Sequence, residues 1–372
     1  SGVWLMAYTD IDDPSVHFNT VPYSGSASTP LAITGVGFQP DLTWLKSRSS
    51  AWTHGLFAAG LGTGAGSGYK YLASNSTAAV ADTWGTVTFG SDGFSGVSSG
   101  YNGSFAHDFG AASNTFVSWN WKANGGTTTS QTGSDIDSVT QVNAEAKFSI
   151  VTYSGAANAT ADDSNNSGAY WRVKHGLGSI PKVAIFKSTS NVHGWYVWHH
   201  GFVGASKSDG DHIVLNTIAA MASNANQLWG NTEWSSTEFE IGGWDVINRS
   251  GQSYIGYLFD EVQGYSKFGS YVGNGSTDGT FVYTGFKPAW VMCKSTASSS
   301  NWYIYDNKRE GYNKDNDHLL ANSAAVEATA DEIDMLSNGF KLRIATDPNV
   351  AEAYIYMAFA ERPFVTSEGV PT

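Results

Sequence analysis

One phrase is written three times along this chain. A chain that repeats itself at domain length must build one fold several times over. The phrase is a proline, five residues of mostly apolar strand, a lysine and a serine. It reads "PDLTWLKS" from Pro40 to Lys46 and Ser47, "PKVAIFKS" from Pro181 to Lys187 and Ser188, and "PAWVMCKS" from Pro288 to Lys294 and Ser295. A tryptophan follows each lysine, at Trp52, Trp195 and Trp302. The match continues on both sides. "FNTVPYSG", "FSIVTYSG" and "FGSYVGNG" precede the phrase, and "YLASN", "IVLNT" and "LLANS" follow it. Each copy then passes a Phe-containing strand start ("SDGF", "STEF", "SNGF") and closes on an aromatic run, "FVSWNWKA", "YIGYLFDE" or "YIYMAFAE". The units span residues 18–123, 148–261 and 268–361. At about a hundred residues each is domain-sized rather than a solenoid repeat.

Residues that recur in three copies of one chain point to architecture, because a single active site does not need three of everything. The proline is expected to start a strand, where its missing N–H costs no ladder bond. "VAIF" and "WVMC" do not alternate, so the strand is expected to be covered on both faces. The lysine stem would then cover apolar surface while the ammonium reaches carbonyls or an acid at the strand end. The chain is 41% hydrophobic, 14% aromatic and only 14% charged, with 42 glycines, which suits many short strands and tight turns. The stretches beginning at Asn75, Thr217 and Ala321 read as loops with at most a helical turn. The fold class expected is all-β, with three antiparallel β-sandwich repeats of jelly-roll or lectin-like type, in tandem or folded into a compact cluster. The expected division is 1–123 (N-terminal segment and first repeat), 124–147 (a Gly/Ser/Thr-rich linker), 148–263 (second repeat) and 264–372 (third repeat and a loose tail).

Net charge is −13, with no basic cluster, which disfavours nucleic acid and anionic membranes. No apolar stretch approaches a spanning length. Cys293 is the only cysteine and lies in the apolar "VMCK" run, where it reads as a small buried hydrophobe. The glycine-rich segment 60–70 has neither phosphate-binding spacing nor a βαβ context. Asp209, Asp211, Asp315, Asn316 and Asp317 lie in loops that could offer oxygens to Ca²⁺, but the EF-hand offsets are missing and solvated turns are the simpler reading. His212 and His318 both follow an aspartate and read as turn-bonding. His199 and His200 are adjacent and would face opposite ways on a strand, so they make a poor metal pair. No catalytic motif, metal site or cofactor site emerges. Trp195, Trp198, Trp302, Tyr303 and Tyr305 are the candidate binding residues, as an aromatic platform for sugar faces.

The motifs "GFxPxxxxxKS", "SNGFKLR" and "YIYMAFAERPF" resemble a repeated domain in virion proteins of marine bacteriophages, often labelled tail fibres. The resemblance covers nearly the whole chain and is strongest over residues 257–364. It implies a non-enzymatic virion component, a tail-fibre or surface-fibre protein contributing to host attachment. Other virion proteins, a homo-oligomer and a host surface glycan are the partners implied. Assembly in the host cytoplasm then fits the lack of disulfides. Two alternatives stand beside it. One is a ligand-free decoration or scaffold protein of the phage head or tail. The other is a glycan-degrading virion enzyme, which needs one cleft with two facing acids.

Overall fold

The computed structural model describes residues 9–26, 30–64, 68–82, 85–97, 109–157, 159, 169–202, 210–223, 228–230, 232–310, 313 and 317–372. Among them there is no α-helix, only two short 3-10 turns and twenty-five strands in antiparallel sheets. Three large sheets share one strand order. The first runs Phe18–Ser24, Thr115–Trp121, Leu42–Ser47, Gly55–Ala58, Tyr71–Leu72. The third runs Ser266–Val272, Ala353–Pro363, Phe286–Ser295, Tyr303–Asp306, Leu319–Leu320. The second has the same five, in the same order, running out to one edge: Phe148–Ser154, Ser253–Phe259, Val183–Ser188, Trp195–His199 and, at the edge, Ile213–Val214. Each recurring motif therefore falls on the same strand of its sheet. The lysine strand is always central and always pairs with the closing aromatic strand.

Both faces of the lysine strands are covered, as the lack of alternation required. On the outer side each large sheet is backed by a smaller one: Leu31–Thr34 with Gly93–Val97 and Thr86–Gly90, Trp171–Lys174 with Glu238–Ile241, and Phe281–Tyr283 with Gly339–Leu342 and Ile333–Leu336. Leu45 and Phe57 pack there against Ile33 and Phe94 in the first copy, and Val291 and Cys293 against Ile333 and Phe340 in the third. The inner faces turn towards one another and build one shared core in layers. At one end lie the cross-strand pairs Leu42–Trp121, Val183–Phe259 and Trp290–Phe359. The middle layer holds Trp44–Trp119, Ile185–Tyr257 and Met292–Met357. Lys46–Val117, Lys187–Ile255 and Lys294–Ile355 close the other end. Trp121 meets Trp290 edge-on at 5.8 Å and Phe259 meets Phe359 at 5.9 Å, so copies touch copies through aromatic rings. The void left between the three sheets is only about 20 Å³. Each of these large side chains contributes roughly 1.5–3 kcal/mol by burial, so the sheets hold each other as well as themselves. Separate tandem sandwiches would not share a core in this way.

Two expectations about the chain segments need correction. Residues 124–147 are not a free linker: Thr129–Gln131 and Ser138–Asn143 extend the second sheet to seven strands. The strand Ser138–Asn143 buries polar side chains that make hydrogen bonds. Ser138 Oγ donates to Lys174 O (2.7 Å), and Asn143 Nδ2 donates to Lys122 O (3.1 Å). Asp41 anchors the preceding turn by accepting from the N–H groups of Ala123 (2.7 Å), Gly125 (3.0 Å) and Gly126 (2.6 Å). Positive φ at Gly125 (68°) and Gly126 (84°) lets those N–H groups converge. The tail after Phe364 is also held, since Ser367 N donates to Asp12 Oδ1 at 2.7 Å and Val365 bridges to Pro371.

Candidate functional site

The three lysines sit in equivalent joints between copies. Each is fully buried, with its ammonium at the end of its strand. Lys46 Nζ donates to Ser47 O (2.8 Å), Ser50 O (3.5 Å) and, in the third copy, Ala324 O (3.2 Å). Lys187 Nζ donates to Ser188 O (2.7 Å), Asn191 O (3.4 Å) and, in the first copy, Thr77 O (3.2 Å). Lys294 Nζ donates to Ser295 O (2.8 Å), Ser298 O (3.4 Å) and, in the second copy, Ile218 O (3.3 Å). Thr77, Ile218 and Ala324 each lie two residues beyond an asparagine: Asn75, Asn216 and Asn322. Each copy thus extends a strap over the next sheet, and the head-to-tail contacts close into a three-membered ring. The backbone repeats the pattern. Val80 N donates to Thr189 O (3.0 Å), Met221 N to Thr296 O (3.0 Å) and Glu327 N to Arg48 O (2.9 Å). Burial lowers Lys187 and Lys294 to about 8, with Asp347 and Glu352 partly opposing that at Lys294. Backbone carbonyls receive all three ammoniums.

The straps correct the sequence alignment. Trp195 Nε1 donates to Ala73 O (2.9 Å) and Ser76 O (3.2 Å), and Trp302 Nε1 donates to Val214 O (3.2 Å). The first-copy residue in that place is His54 and not Trp52, because all three lie eight positions after the lysine. Trp44 Nε1 donates to His54 Nδ1 at 2.8 Å, which leaves the proton on Nε2 to reach Leu320 O and Ser323 O, both at 3.0 Å. Burial, followed by the charge of Lys46, lowers His54 to about 3 and keeps it neutral. The strap asparagines are equivalent too: Asn75, Asn216 and Asn322 accept through Oδ1 from the backbone N–H groups of His54 (3.1 Å), Trp195 (2.8 Å) and Trp302 (2.8 Å). Trp52 instead stacks on Phe116 at 6.2 Å.

The expected aromatic platform does not form. Trp195, Trp302 and Tyr305 are at most 2% exposed and Trp198 is 7% exposed. Trp198 packs on Phe202 and Trp234, and Tyr303 stacks along Tyr305 and is partly buried. Alternation along their strands separated two buried faces rather than inside from outside. Pro40 and Pro181 precede their strands by two residues, whereas Pro288 lies inside its strand at a bulge. His199 and His200 do not face opposite ways, because the strand ends at His199 and the rings stack at 5.5 Å. Their Nε2 atoms reach Tyr356 O (3.0 Å) and Phe268 O (2.9 Å) in the third copy. His212 Nδ1 bonds Gly210 O at 2.8 Å, and His318 Nδ1 bonds Glu332 Oε2 at 2.8 Å. Asp211 accepts from Ser223 Oγ. Burial raises Asp317 to about 6, reinforced by the charges of Glu327 and Glu310. Asp209, Asp315 and Asn316 lie outside the described residues. Cys293 is buried, and burial pushes its thiol well up. No metal-competent cluster of three His, Cys, Asp or Glu occurs among the described residues.

Sequence reasoning missed an open cleft of about 750 Å³ at the outer seam of the second and third copies, within the roughly 300–1,000 Å³ of small-molecule sites. Lys182, Glu261 and Lys267 form its floor. Glu261 Oε2 accepts from Lys182 Nζ (2.6 Å) and Lys267 Nζ (2.9 Å), and Oε1 accepts from Phe268 N (2.9 Å). The carboxylate side chain is only 12% exposed, while the two lysine side chains above it are 37% and 42% exposed. Burial alone would raise Glu261, but the ammoniums and the Phe268 N–H outweigh it and hold the group below the usual carboxylate range. The walls add Asp10, Gln263, Ser266 and Thr284, with the rings of Tyr283 and Phe364 at 60% and 39% exposure. Gly264 (φ 83°) shapes one side, since a Cβ there would lie 1.7 Å from Thr9 Oγ1. A second cleft of about 470 Å³ lies against the second sheet, but its lining tyrosines, Tyr153 and Tyr254, are buried.

Fold and site together define an all-β body of three copies locked in a ring, with a charge-balanced cleft on one seam. The chain belongs to the family described as "Domain of unknown function (DUF7483)", whose model matches residues 13–363. No curated protein and no solved structure matches it. No helix among the described residues is long and apolar enough to cross a membrane.

Proposed function

We propose that this protein is a non-enzymatic structural component of a bacteriophage virion, a tail-fibre or surface-fibre protein that contributes to host attachment. The observation that carries the reading is the ring of three lysine joints. The recurring chemistry of the chain is spent on holding sheets together, and the parts that differ between copies are the outer loops and seams. The motif resemblance to virion proteins and the absence of any possible intrachain disulfide support the same reading. Display of many copies would multiply weak surface contacts into firm attachment. A glycan-cleaving reading needs a raised carboxyl facing a lowered one. In the seam cleft the buried carboxylate, Glu261, is held low, and Asp317 is not among the lining residues. The test is to label this chain on intact particles and image them. Label on fibres or the outer surface supports the reading, and its absence from purified particles overturns it.

A further inference from the structure

We infer that the seam cleft of Lys182, Glu261, Lys267, Tyr283 and Phe364 binds a neutral sugar of a surface glycan. This rests on the attachment reading above and gives it a site. The charged residues lining the cleft are Asp10, Lys182, Glu261 and Lys267, so their formal charges cancel. An ionic ligand therefore finds no net counter-charge, whereas a polyhydroxylated neutral one finds both kinds of partner. Each ammonium has three N–H groups and spends one on Glu261, which leaves donors for sugar oxygens. Glu261 fixes the two ammoniums in place, so they do not have to be ordered when ligand arrives. Asp10 and Thr284 lie on the same lining, with the Asp10 side chain able to accept from hydroxyls.

The rings supply the other half of sugar recognition. Tyr283 belongs to Phe281–Tyr283, where only the middle residue, Val282, is buried, so the pleat turns the tyrosine outward. Tyr283 is left 60% exposed. A flat ring beside fixed donors matches the apolar face and hydroxyl edge of a pyranose. The smaller cleft lacks an exposed ring, and the five aromatics singled out along the sequence are largely buried, so this seam is where ring and donors coincide.

The experiment is a glycan array with the full chain, followed by titration of the best ligand against wild type, Tyr283→Ala and Lys267→Gln, with melting recorded for each. Neutral glycans are expected to bind, and each substitution is expected to weaken binding about tenfold, the loss of a single stacking or hydrogen-bonding partner. Melting should be unchanged for Tyr283→Ala. Equal binding by wild type and both variants would place the glycan elsewhere and overturn the cleft while leaving attachment intact. Preference for carboxylated or sulfated glycans would overturn the neutral-ligand assignment. No binding to any glycan would overturn the site as a whole. Particle imaging judges the virion reading separately.

Discussion

Two joints of the ring solve the same problem with different chemistry. Where the second sheet grips the strap of the first copy, the contacts are Lys187, Trp195 and a backbone bond from Val80 N to Thr189 O, with no ion pair between those last two side chains. Where the first sheet grips the strap of the third copy, Thr189 and Val80 are replaced by Arg48 and Glu327. Arg48 Nη2 lies 2.7 Å from Glu327 Oε1. Glu327 Oε2 also meets Arg309 Nη1 at 2.6 Å, Arg309 Nε meets Asp306 Oδ2 at 2.7 Å, and Asp306 accepts from Trp119 Nε1 at 2.9 Å. The two joints also differ in covalent setting. First and second copies are consecutive, so the chain tethers them. First and third are not, and their contact must close a long loop of sequence. The added lacing is found where the chain supplies no tether.

That contrast can be broken, and the largest effect should come from removing what the joints share. Substituting Lys46, Lys187 and Lys294 together by methionine leaves buried carbonyls without donors in all three joints. Each loss costs about 2 kcal/mol, so their combination competes with a total stability of roughly 5–15 kcal/mol. We expect no cooperative melting transition in that variant. Glu327→Gln attacks only the untethered joint: it removes the carboxylate that pairs with Arg48 and leaves the almost fully buried Arg309 with Asp306 alone as counter-charge. A loss of about 3 kcal/mol is expected in denaturant unfolding. Lys187→Met attacks the tethered joint and should cost about 2 kcal/mol. If Glu327→Gln proves the milder of the two, the association of lacing with the missing tether fails.

A subtler test exchanges the chemistry of the joints. The pair Trp44 and His54 stands where the second copy has Ile185 and Trp195. Trp44→Ile with His54→Trp should recover stability that either substitution alone loses, giving a coupling of about 1 kcal/mol or more in a double-mutant cycle. The exchange should also change acid behaviour. His54 moves from 6.5 to about 3 on folding, so its contribution is present above pH 6.5 and is lost as pH falls towards 3. At pH 5 the wild type should have lost about 2 kcal/mol through this group, a loss absent from the double variant. The smallest effect lies on the alkaline side. Lys187 falls from 10.5 to about 8 on folding, so its burial cost is fully present below pH 8 and is relieved as pH rises towards 10.5. Lys187→Met should flatten that part of the stability profile.

Much of the architecture was legible because the repeat exposed it. Three prolines and three lysines at one spacing marked the central strands, and their non-alternating runs marked coverage on both faces. The straps were readable as non-helical segments, though not as joints, because their partners are carbonyls that leave no sequence signature. Replacement of tryptophan by His54 hid one member of a threefold set, and nearby Trp52 offered a false match. Residues 124–147 misled for a different reason: the strand Ser138–Asn143 buries hydrogen-bonded Ser, Thr, Gln and Asn rather than apolar side chains. The seam cleft was invisible because it draws on residues from 10 to 365, which only the ring brings together.

The most direct test of the ring is native-state hydrogen exchange at three amides, Val80, Met221 and Glu327, each of which donates across a joint. A closed ring has no free end, so all three should exchange with the same opening free energy, and Lys187→Met should lower protection at all three together. Fast, independent exchange at each strap, with the effect of Lys187→Met confined to Val80, would mean that the copies are separate bodies merely touching, contrary to the ring described here.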